Sequence, residues 1–129
     1  MIVLDASVLI AHLAGDDAHS ASAFDILDTE EELAMHPVTL AEILVGPARV
    51  HREQDAIDAI FRLGVEELPW QADEPVTLAR LRASAALRLP DCCVLAAALR
   101  EKATLATFDT RLAAAAAAAG VPVAGSPPG

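Results

Sequence analysis

The sequence of 129 residues contains no tyrosine and no asparagine, and its two cysteines, Cys92 and Cys93, are adjacent. Because neighbouring cysteines rarely bridge each other and there is no second pair, we expect reduced, buried thiols instead of a disulfide framework. The chain also lacks an apolar run long enough to span a membrane. Its apolar start has no basic leader and is interrupted by Asp5, which is atypical of a signal peptide. These absences predict a cytoplasmic protein with no membrane association.

Positive charge is scarce and unevenly placed. The chain has 9 Lys+Arg against 19 Asp+Glu, which gives a formal net charge of −10. Residues 1–48 hold nine of the acids and no Lys or Arg. This balance argues against a protein that coats nucleic acid indiscriminately. It does not exclude a nuclease, because carboxylates that bind divalent cations are themselves acidic.

Apolar residues are abundant, at 54% of the sequence, which excludes intrinsic disorder. The length indicates one domain, for which we expect bounds of 1–123 with a flexible tail over 124–129. Short apolar runs predict strands at Ile2–Leu4, Leu33–His36, Val65–Leu68, Thr104–Thr107 and, at an edge, Val121–Val123.

Helices are predicted between these strands, with a break at residues 15–17 and a helix end or kink at Gly46-Pro47. Their expected ranges are Ala6–Ala14, Ser20–Asp28, Thr39–Val45, Glu53–Leu63, Pro75–Leu89, Asp91–Lys102 and Asp109–Ala119. Alternating strands and helices predict an α/β fold, with a parallel sheet covered by helices on both faces.

Four acids stand where predicted strands pass into helices or where helices begin: Asp5, Glu42, Asp91 and Asp109. Ligands of parallel sheets bind beyond the carboxyl ends of the strands, so we expect these side chains to meet. Each acid is also suited to capping a helix, and Thr39-Leu40-Ala41-Glu42 fits a capping box. Capping explains the set poorly, because Asp5 and Asp91 lie in strongly apolar sequence, where a charge needs a partner.

Converging carboxylates without nearby His or Cys form a hard oxygen site that suits Mg²⁺ or Mn²⁺. Such a cation leaves positions for phosphate oxygens and activates water, so the site predicts phosphodiester hydrolysis. Ser7 and Thr107 are placed to hydrogen-bond the carboxylates or a phosphate, or to serve as ordinary turn hydroxyls. Arg88, three residues before Asp91, is the base best placed to reach a substrate. The four histidines, His36 among them, show no metal-ligand spacing, and we assign them no role.

Four ordered motifs carry a family resemblance: Ile2-Val3-Leu4-Asp5-Ala6-Ser7, Thr39-x-x-Glu42-Ile43-Leu44-x-Gly46, Leu89-Pro90-Asp91 and Thr107-Phe108-Asp109. From residue 2 to about 123 the chain resembles the PIN domain, and within it the VapC-type toxins of bacterial toxin–antitoxin pairs. The resemblance implies a Rossmann-like α/β/α sandwich with four to five parallel strands. It also implies a Mg²⁺-dependent endoribonuclease, with Mn²⁺ as a substitute.

By the same resemblance the four acids are the catalytic and metal-binding residues. Asp5 and Asp91 would be direct ligands, while Glu42 and Asp109 would act partly through water. The implied partners are an RNA substrate and a cognate antitoxin whose Arg or Lys enters the acidic pocket. A homodimer and a toxin–antitoxin hetero-oligomer are the implied assemblies. The acidity of residues 1–48 suggests that the helices predicted within 6–28 offer an acidic docking surface for a basic antitoxin segment.

Three other functions fit parts of the sequence. A catalytically silent PIN-like binding module would keep the fold, although the presence of all four acids argues against it. A receiver-like phosphoacceptor domain would need paired acids after the first strand, where Asp5 stands alone. A haloacid-dehalogenase-like phosphatase would need a second Asp two residues after Asp5, where Ser7 stands instead.

Overall fold

The computed structural model describes residues 1–15 and 18–125, and within them the chain forms five strands and seven helices. The strands are β1 Ile2–Leu4, β2 Leu33–Met35, β3 Val65–Glu67, β4 Thr104–Ala106 and β5 Val123–Ala124. The helices are α1 Ala6–Ala14, α2 Ser20–Leu27, α3 Pro37–Arg49, α4 Glu53–Arg62, α5 Glu74–Ser84, α6 Leu89–Glu101 and α7 Thr110–Ala118. Asp16 and Asp17 of the predicted break, and 126–129 of the predicted tail, lie outside the described residues.

The five strands form one parallel sheet in the order β3-β2-β1-β4-β5. In β1, Val3 pairs with Ala34 on one side and with Leu105 on the other. The direction in which strands are added reverses between β1 and β4, which makes this the switch point of the sheet. A receiver domain has the order 2-1-3-4-5, so the strand order is not that of the receiver-like alternative.

Side chains of the short strands alternate between two helical layers, as the two-residue period of a strand requires. Val3, Ala34 and Leu105 pack in a cluster with residues of α5, α6 and α7. Ile2, Leu4 and their neighbours on β2–β4 pack in a second cluster with residues of α1–α4. Both faces of the sheet are therefore buried, and the predicted α/β/α sandwich is confirmed. Within the described residues, no helix is long and apolar enough to cross a membrane.

Helix α3 departs from the prediction at both ends. It begins at Pro37 and runs through Gly46 and Pro47 to Arg49, so the predicted stop at Gly46-Pro47 is wrong. Proline disfavours helical geometry in the preceding residue partly through that residue's Cβ, which Gly46 lacks. Pro47 lies in the last turn of the helix and has no N–H to donate to the carbonyl of Ile43, so the helix continues with one bond fewer.

The boundary between α5 and α6 also differs. Helix α5 ends at Ser84, five residues before the predicted end, and Ala85 is extended. Helix α6 begins at Leu89 with Pro90 in its first turn, and Arg88 in extended conformation precedes it. Pro90 suits the first turn of α6, where its missing N–H is not needed. The apolar spacing of Leu78, Leu81, Ala85 and Leu89 continues past Ser84 and does not mark the end of α5.

The end of the described chain is a paired edge strand. Strand β5 comprises Val123–Ala124 instead of the predicted 121–123, and Thr107 N–H donates to the carbonyl of Ala124 at 3.1 Å. Gly125 follows with a φ of +84°, and a Cβ there would lie 2.8 Å from Ile26 Cδ1. Ala124, which we had placed in the flexible tail, is thus part of the sheet.

Candidate active site

The four predicted acids lie after the strands that flank the switch point or in the helices packed on them. Asp5 directly follows β1 and is 5% exposed, and Asp109 comes three residues after the end of β4. Glu42 is in the second turn of α3, which follows β2, and Asp91 is the third residue of α6. Because the strands are parallel, their carboxyl ends share one edge of the sheet, and the site is built there.

Two hydroxyl groups hold the side chain of Asp5. Ser7 Oγ and Thr107 Oγ1 each donate a hydrogen bond to Oδ2 of Asp5, both at 2.7 Å. Oδ1 receives neither of these bonds. The two bonds to Oδ2 therefore fix the orientation of the carboxylate, and Oδ1 can bind another partner.

The same hydroxyls connect the two halves of the site. Thr107 Oγ1 accepts a hydrogen bond from the backbone N–H of Asp109 at 2.9 Å, and Ser7 Oγ accepts one from Phe108 N–H at 3.1 Å. The segment after β4 is therefore tied to the segment after β1. Ser7 and Thr107, which the sequence also allowed to be ordinary turn hydroxyls, act on Asp5 and on the backbone at once.

Capping explains one of the four acids. Asp109 Oδ1 accepts the N–H groups of Arg111 and Leu112, so this residue caps α7. Asp5 occupies the N-cap position of α1 but makes no side-chain capping bond, and Asp91 lies inside α6. Both capping bonds go to Oδ1 of Asp109, and Oδ2 takes no part in the cap.

The capping box that residues 39–42 could have formed, the alternative to a site role for Glu42, is absent from α3. The N-cap of α3 is His36, whose Nδ1 accepts the N–H of Val38 at 3.0 Å. Thr39 is fully buried, and its Oγ1 has no hydrogen-bond partner within the described part of the chain. Glu42 therefore does not cap α3, and it lies in the second turn of the helix.

Burial and mutual repulsion act on the acids together. Burial, and then the charge of Asp5, raise the pKa of Glu42 above its ordinary value, against the opposing charge of Arg88. Burial likewise raises the pKa of Asp91, with Asp5 and Asp109 adding repulsion and Arg88 opposing it. The four carboxylates therefore interact electrostatically, as the sequence predicts for a converging set.

Whether these residues fit a divalent cation depends on the number of ligands required. Among residues 1–15 and 18–125, no group of three or more His, Cys, Asp or Glu side chains is close enough together to hold a metal ion. Mg²⁺, however, keeps several waters and commonly takes only one or two carboxylates. The all-oxygen donor set and the repulsion among the acids fit such a cation, with Asp5 and Asp91 as the candidate pair.

A groove between α1 and α3 reaches the acidic site. It has a volume of about 330 Å³ and is lined by Ile10, Leu13, Ala14, Glu42, Ile43, Gly46 and Pro47. Glu42 is the one charged residue in this lining, and the other residues are apolar. We call this the α1–α3 groove. It places an apolar surface directly beside one of the four acids.

A buried pair that the sequence did not reveal lies between the start of α3 and the start of α5. The His36 and Glu74 side chains are almost completely buried and hydrogen-bond each other. Because Nδ1 of His36 accepts Val38 N–H, the proton lies on Nε2 and is donated to Glu74. Glu74 Oε2 accepts Gln71 N–H at 3.0 Å. The available signal was the position of His36 between a strand and Pro37, where an N-cap is expected.

The adjacent cysteines are buried and free, as predicted. Burial raises the pKa of Cys93 to about 12, and it also raises the pKa of Cys92. Thiols that stay protonated are poor nucleophiles and poor metal ligands. The pair therefore contributes packing beside Asp91 and adds no ligand to the acidic site.

The model of the PIN domain matches residues 2–118. No curated protein matches the sequence significantly. A toxin–antitoxin complex from Klebsiella pneumoniae is 24% identical with a TM-score of 0.70, over 86% of this chain and 88% of that one.

Two further structures share the fold. VapC20 of Mycobacterium tuberculosis, described as a Sarcin-Ricin loop cleaving toxin, is 16% identical with a TM-score of 0.75, over 89% of this chain and 95% of that one. VapBC2 of Rickettsia felis, bound to a DNA fragment from its promoter, is 18% identical with a TM-score of 0.71, over 95% and 97%.

Proposed function

The chain belongs to the PIN domain family, and from this premise we propose that it is a Mg²⁺-dependent endoribonuclease that hydrolyses phosphodiester bonds in RNA. The observation that carries the proposal is the acidic site at the carboxyl edge of the sheet, where Asp5 is fixed by two hydroxyls and interacts with Glu42 and Asp91. A structural neighbour described as a Sarcin-Ricin loop cleaving toxin supports RNA as the substrate.

Asp5 and Asp91 would hold the cation directly, and Glu42 and Asp109 would complete its surroundings partly through water. When bound, Mg²⁺ or Mn²⁺ supplies positive charge for the phosphate oxygens and a more acidic water. Ser7 and Thr107 keep the carboxylate of Asp5 in one orientation. Asp109 serves the site with Oδ2, because its Oδ1 caps α7.

We further propose that the protein is the toxin of a cytoplasmic toxin–antitoxin pair. The neighbouring structures include toxin–antitoxin complexes. The α1–α3 groove combines an apolar lining with Glu42 at its edge, and it can receive an apolar antitoxin segment that carries one basic residue. The lack of Lys and Arg in residues 1–48 supports a basic partner.

The homodimer belongs to the same proposal. Val76, Leu99 and Trp70 are exposed apolar side chains that contact with a second copy would bury. Hetero-oligomers would form when antitoxin binds such a dimer.

Cleavage of a labelled single-stranded RNA tests the proposal. We expect cleavage with Mg²⁺ or Mn²⁺, none with EDTA, and a loss of at least about 100-fold in Asp5→Ala and Asp91→Ala. Thermal melting must show that both variants keep the fold. Equal cleavage by the wild type and both variants would indicate a contaminating nuclease and remove the assignment. Metal binding without any cleavage would favour the catalytically silent binding module.

A further inference from the structure

Arg88 stands at the entrance of the acidic site. It occupies the N-cap position of α6 in an extended conformation and makes no side-chain capping bond. Its Nε lies 3.5 Å from Oδ2 of Asp91. The side chain of Arg88 is 71% exposed, whereas that of Asp91 is 8% exposed. A solvent-facing guanidinium thus covers a buried carboxylate.

The charge of Arg88 acts on more than its immediate partner. It opposes the rise in pKa of both Glu42 and Asp91. In return, Asp91 raises the pKa of Arg88 most, and Glu42 and Asp109 add to the effect. Arg88 is therefore the positive charge that three of the four acids share in the metal-free protein.

The contact with Asp91 is of a kind that is easily exchanged. The distance of 3.5 Å between Nε and Oδ2 is long for an ion pair, and an arginine this exposed gains little from such a pair. A divalent cation at Asp91 would carry two positive charges, whereas the guanidinium carries one. The cation would therefore compete for the carboxylate and repel the guanidinium. A free arginine then presents a planar fork of donors whose geometry matches phosphate.

We propose that Arg88 exchanges partners during the reaction cycle: it is the counter-ion of Asp91 in the metal-free protein, and it binds an RNA phosphate beside the cleaved bond once the cation is in place. This inference rests on the proposed nuclease function. It assigns Arg88 two competing roles. Removal of its side chain must therefore strengthen cation binding at Asp91 and weaken RNA binding.

Arg88→Ala, Arg88→Lys and Arg80→Ala provide the test. Arg80 is an exposed arginine of α5 and serves as the matched control. Mn²⁺ affinity is measured by calorimetry on the RNA-free protein, and KM and kcat are measured with a single-stranded RNA. Because Arg88 is exposed, we expect its variants to melt as the wild type does.

For Arg88→Ala we expect Mn²⁺ to bind several-fold more tightly, because the competing cation is gone. The KM for RNA should rise about 10-fold, because a charge-assisted hydrogen bond to a phosphate is lost, and kcat should change less. The slope of log KM against log salt should fall by about 0.7, the value for one phosphate contact on a single strand. Arg88→Lys should restore the salt slope and only part of the affinity, and Arg80→Ala should leave all values unchanged.

Two results separate this inference from the function it rests on. If the wild type binds Mn²⁺ and cleaves RNA while Arg88→Ala matches it in Mn²⁺ affinity or in KM, the partner exchange is wrong and the nuclease assignment stands. If the wild type neither binds Mn²⁺ nor cleaves RNA, the proposed function is wrong and the role of Arg88 falls with it.

Discussion

Thr107 and Asp5 are 102 positions apart in the sequence, yet the hydroxyl of Thr107 donates to Oδ2 of Asp5 at 2.7 Å. The contact forms because β1 and β4 are adjacent and parallel, so that the residues just beyond them meet at one edge of the sheet. The hydroxyl also accepts the backbone N–H of Asp109 at 2.9 Å. One buried threonine therefore sets the position of two of the four acids.

The first prediction concerns this hydroxyl. Thr107→Val keeps the size of the side chain but removes one of the two hydroxyl bonds to Asp5 and the acceptor for the N–H of Asp109. We expect Mg²⁺ affinity to fall by about 10–100-fold, as when partners that orient metal ligands are lost. Calorimetric titration measures it, and Thr107→Ser, which retains the hydroxyl, should recover most of the affinity. Full affinity in the valine variant would contradict a positioning role.

The second prediction separates the two functions of Asp109. Asparagine is as good an N-cap as aspartate, so Asp109→Asn should retain stability while losing RNA cleavage. Asp109→Ala removes the cap as well and should lower the free energy of unfolding by about 1 kcal/mol. Urea unfolding and the cleavage assay measure the two effects. An asparagine variant that cleaves RNA normally would confine Asp109 to capping.

The third prediction follows from the raised pKa of Asp91. Since its pKa in the folded state lies above the ordinary value of 3.8, the folded protein holds this proton more tightly than the unfolded chain. The contribution of Asp91 to stability is therefore favourable below 3.8 and is lost as the pH rises through the folded pKa. In metal-free buffer, Asp91→Asn should melt at a higher temperature than the wild type near pH 7.

The difference in melting temperature between Asp91→Asn and the wild type should shrink as the pH is lowered through the folded pKa, because the wild-type carboxyl then becomes neutral too. Added Mg²⁺ at neutral pH should stabilise the wild type more than the variant. A variant that is less stable than the wild type at pH 7 without metal would show that the ion pair with Arg88 outweighs burial.

The fourth prediction tests the buried pair of His36 and Glu74. Removing one partner leaves a buried charge or dipole without compensation, so His36→Leu should cost about 3–5 kcal/mol of stability. The double variant with Glu74→Leu should be more stable than His36→Leu alone, because no buried carboxylate is then left unpaired. Urea unfolding of both variants measures this. Additive losses would mean that the pair is not energetically coupled.

Much of this architecture is readable from local patterns. Short apolar runs such as Ile2–Leu4 predicted the strands, and acids such as Asp5, at the end of the first run, predicted the candidate site. The points at which helices continue or end were harder to predict. The continuation of α3 through Gly46-Pro47 is favoured by the missing Cβ of Gly46, and the apolar spacing that continues past Ser84 does not show where α5 ends.

Contacts between residues that are distant in the sequence could not be predicted from it. No local pattern pairs His36 with Glu74, because that bond exists only after α5 has packed on the sheet. Likewise, Ala124 reads as the start of a polar, proline-rich tail, yet it completes an edge strand beside β4. Such features follow from tertiary packing, which composition and periodicity do not encode.

Direct titration of the protein with Mn²⁺ tests the central claim, that the acids at the sheet edge form a divalent-cation site. Wild-type protein should bind Mn²⁺, Asp5→Asn and Asp91→Asn should lose that binding, and Asp58→Asn, a surface variant on α4, should keep it. Unchanged Mn²⁺ binding in Asp5→Asn and Asp91→Asn, or no binding by the wild type, would contradict the claim.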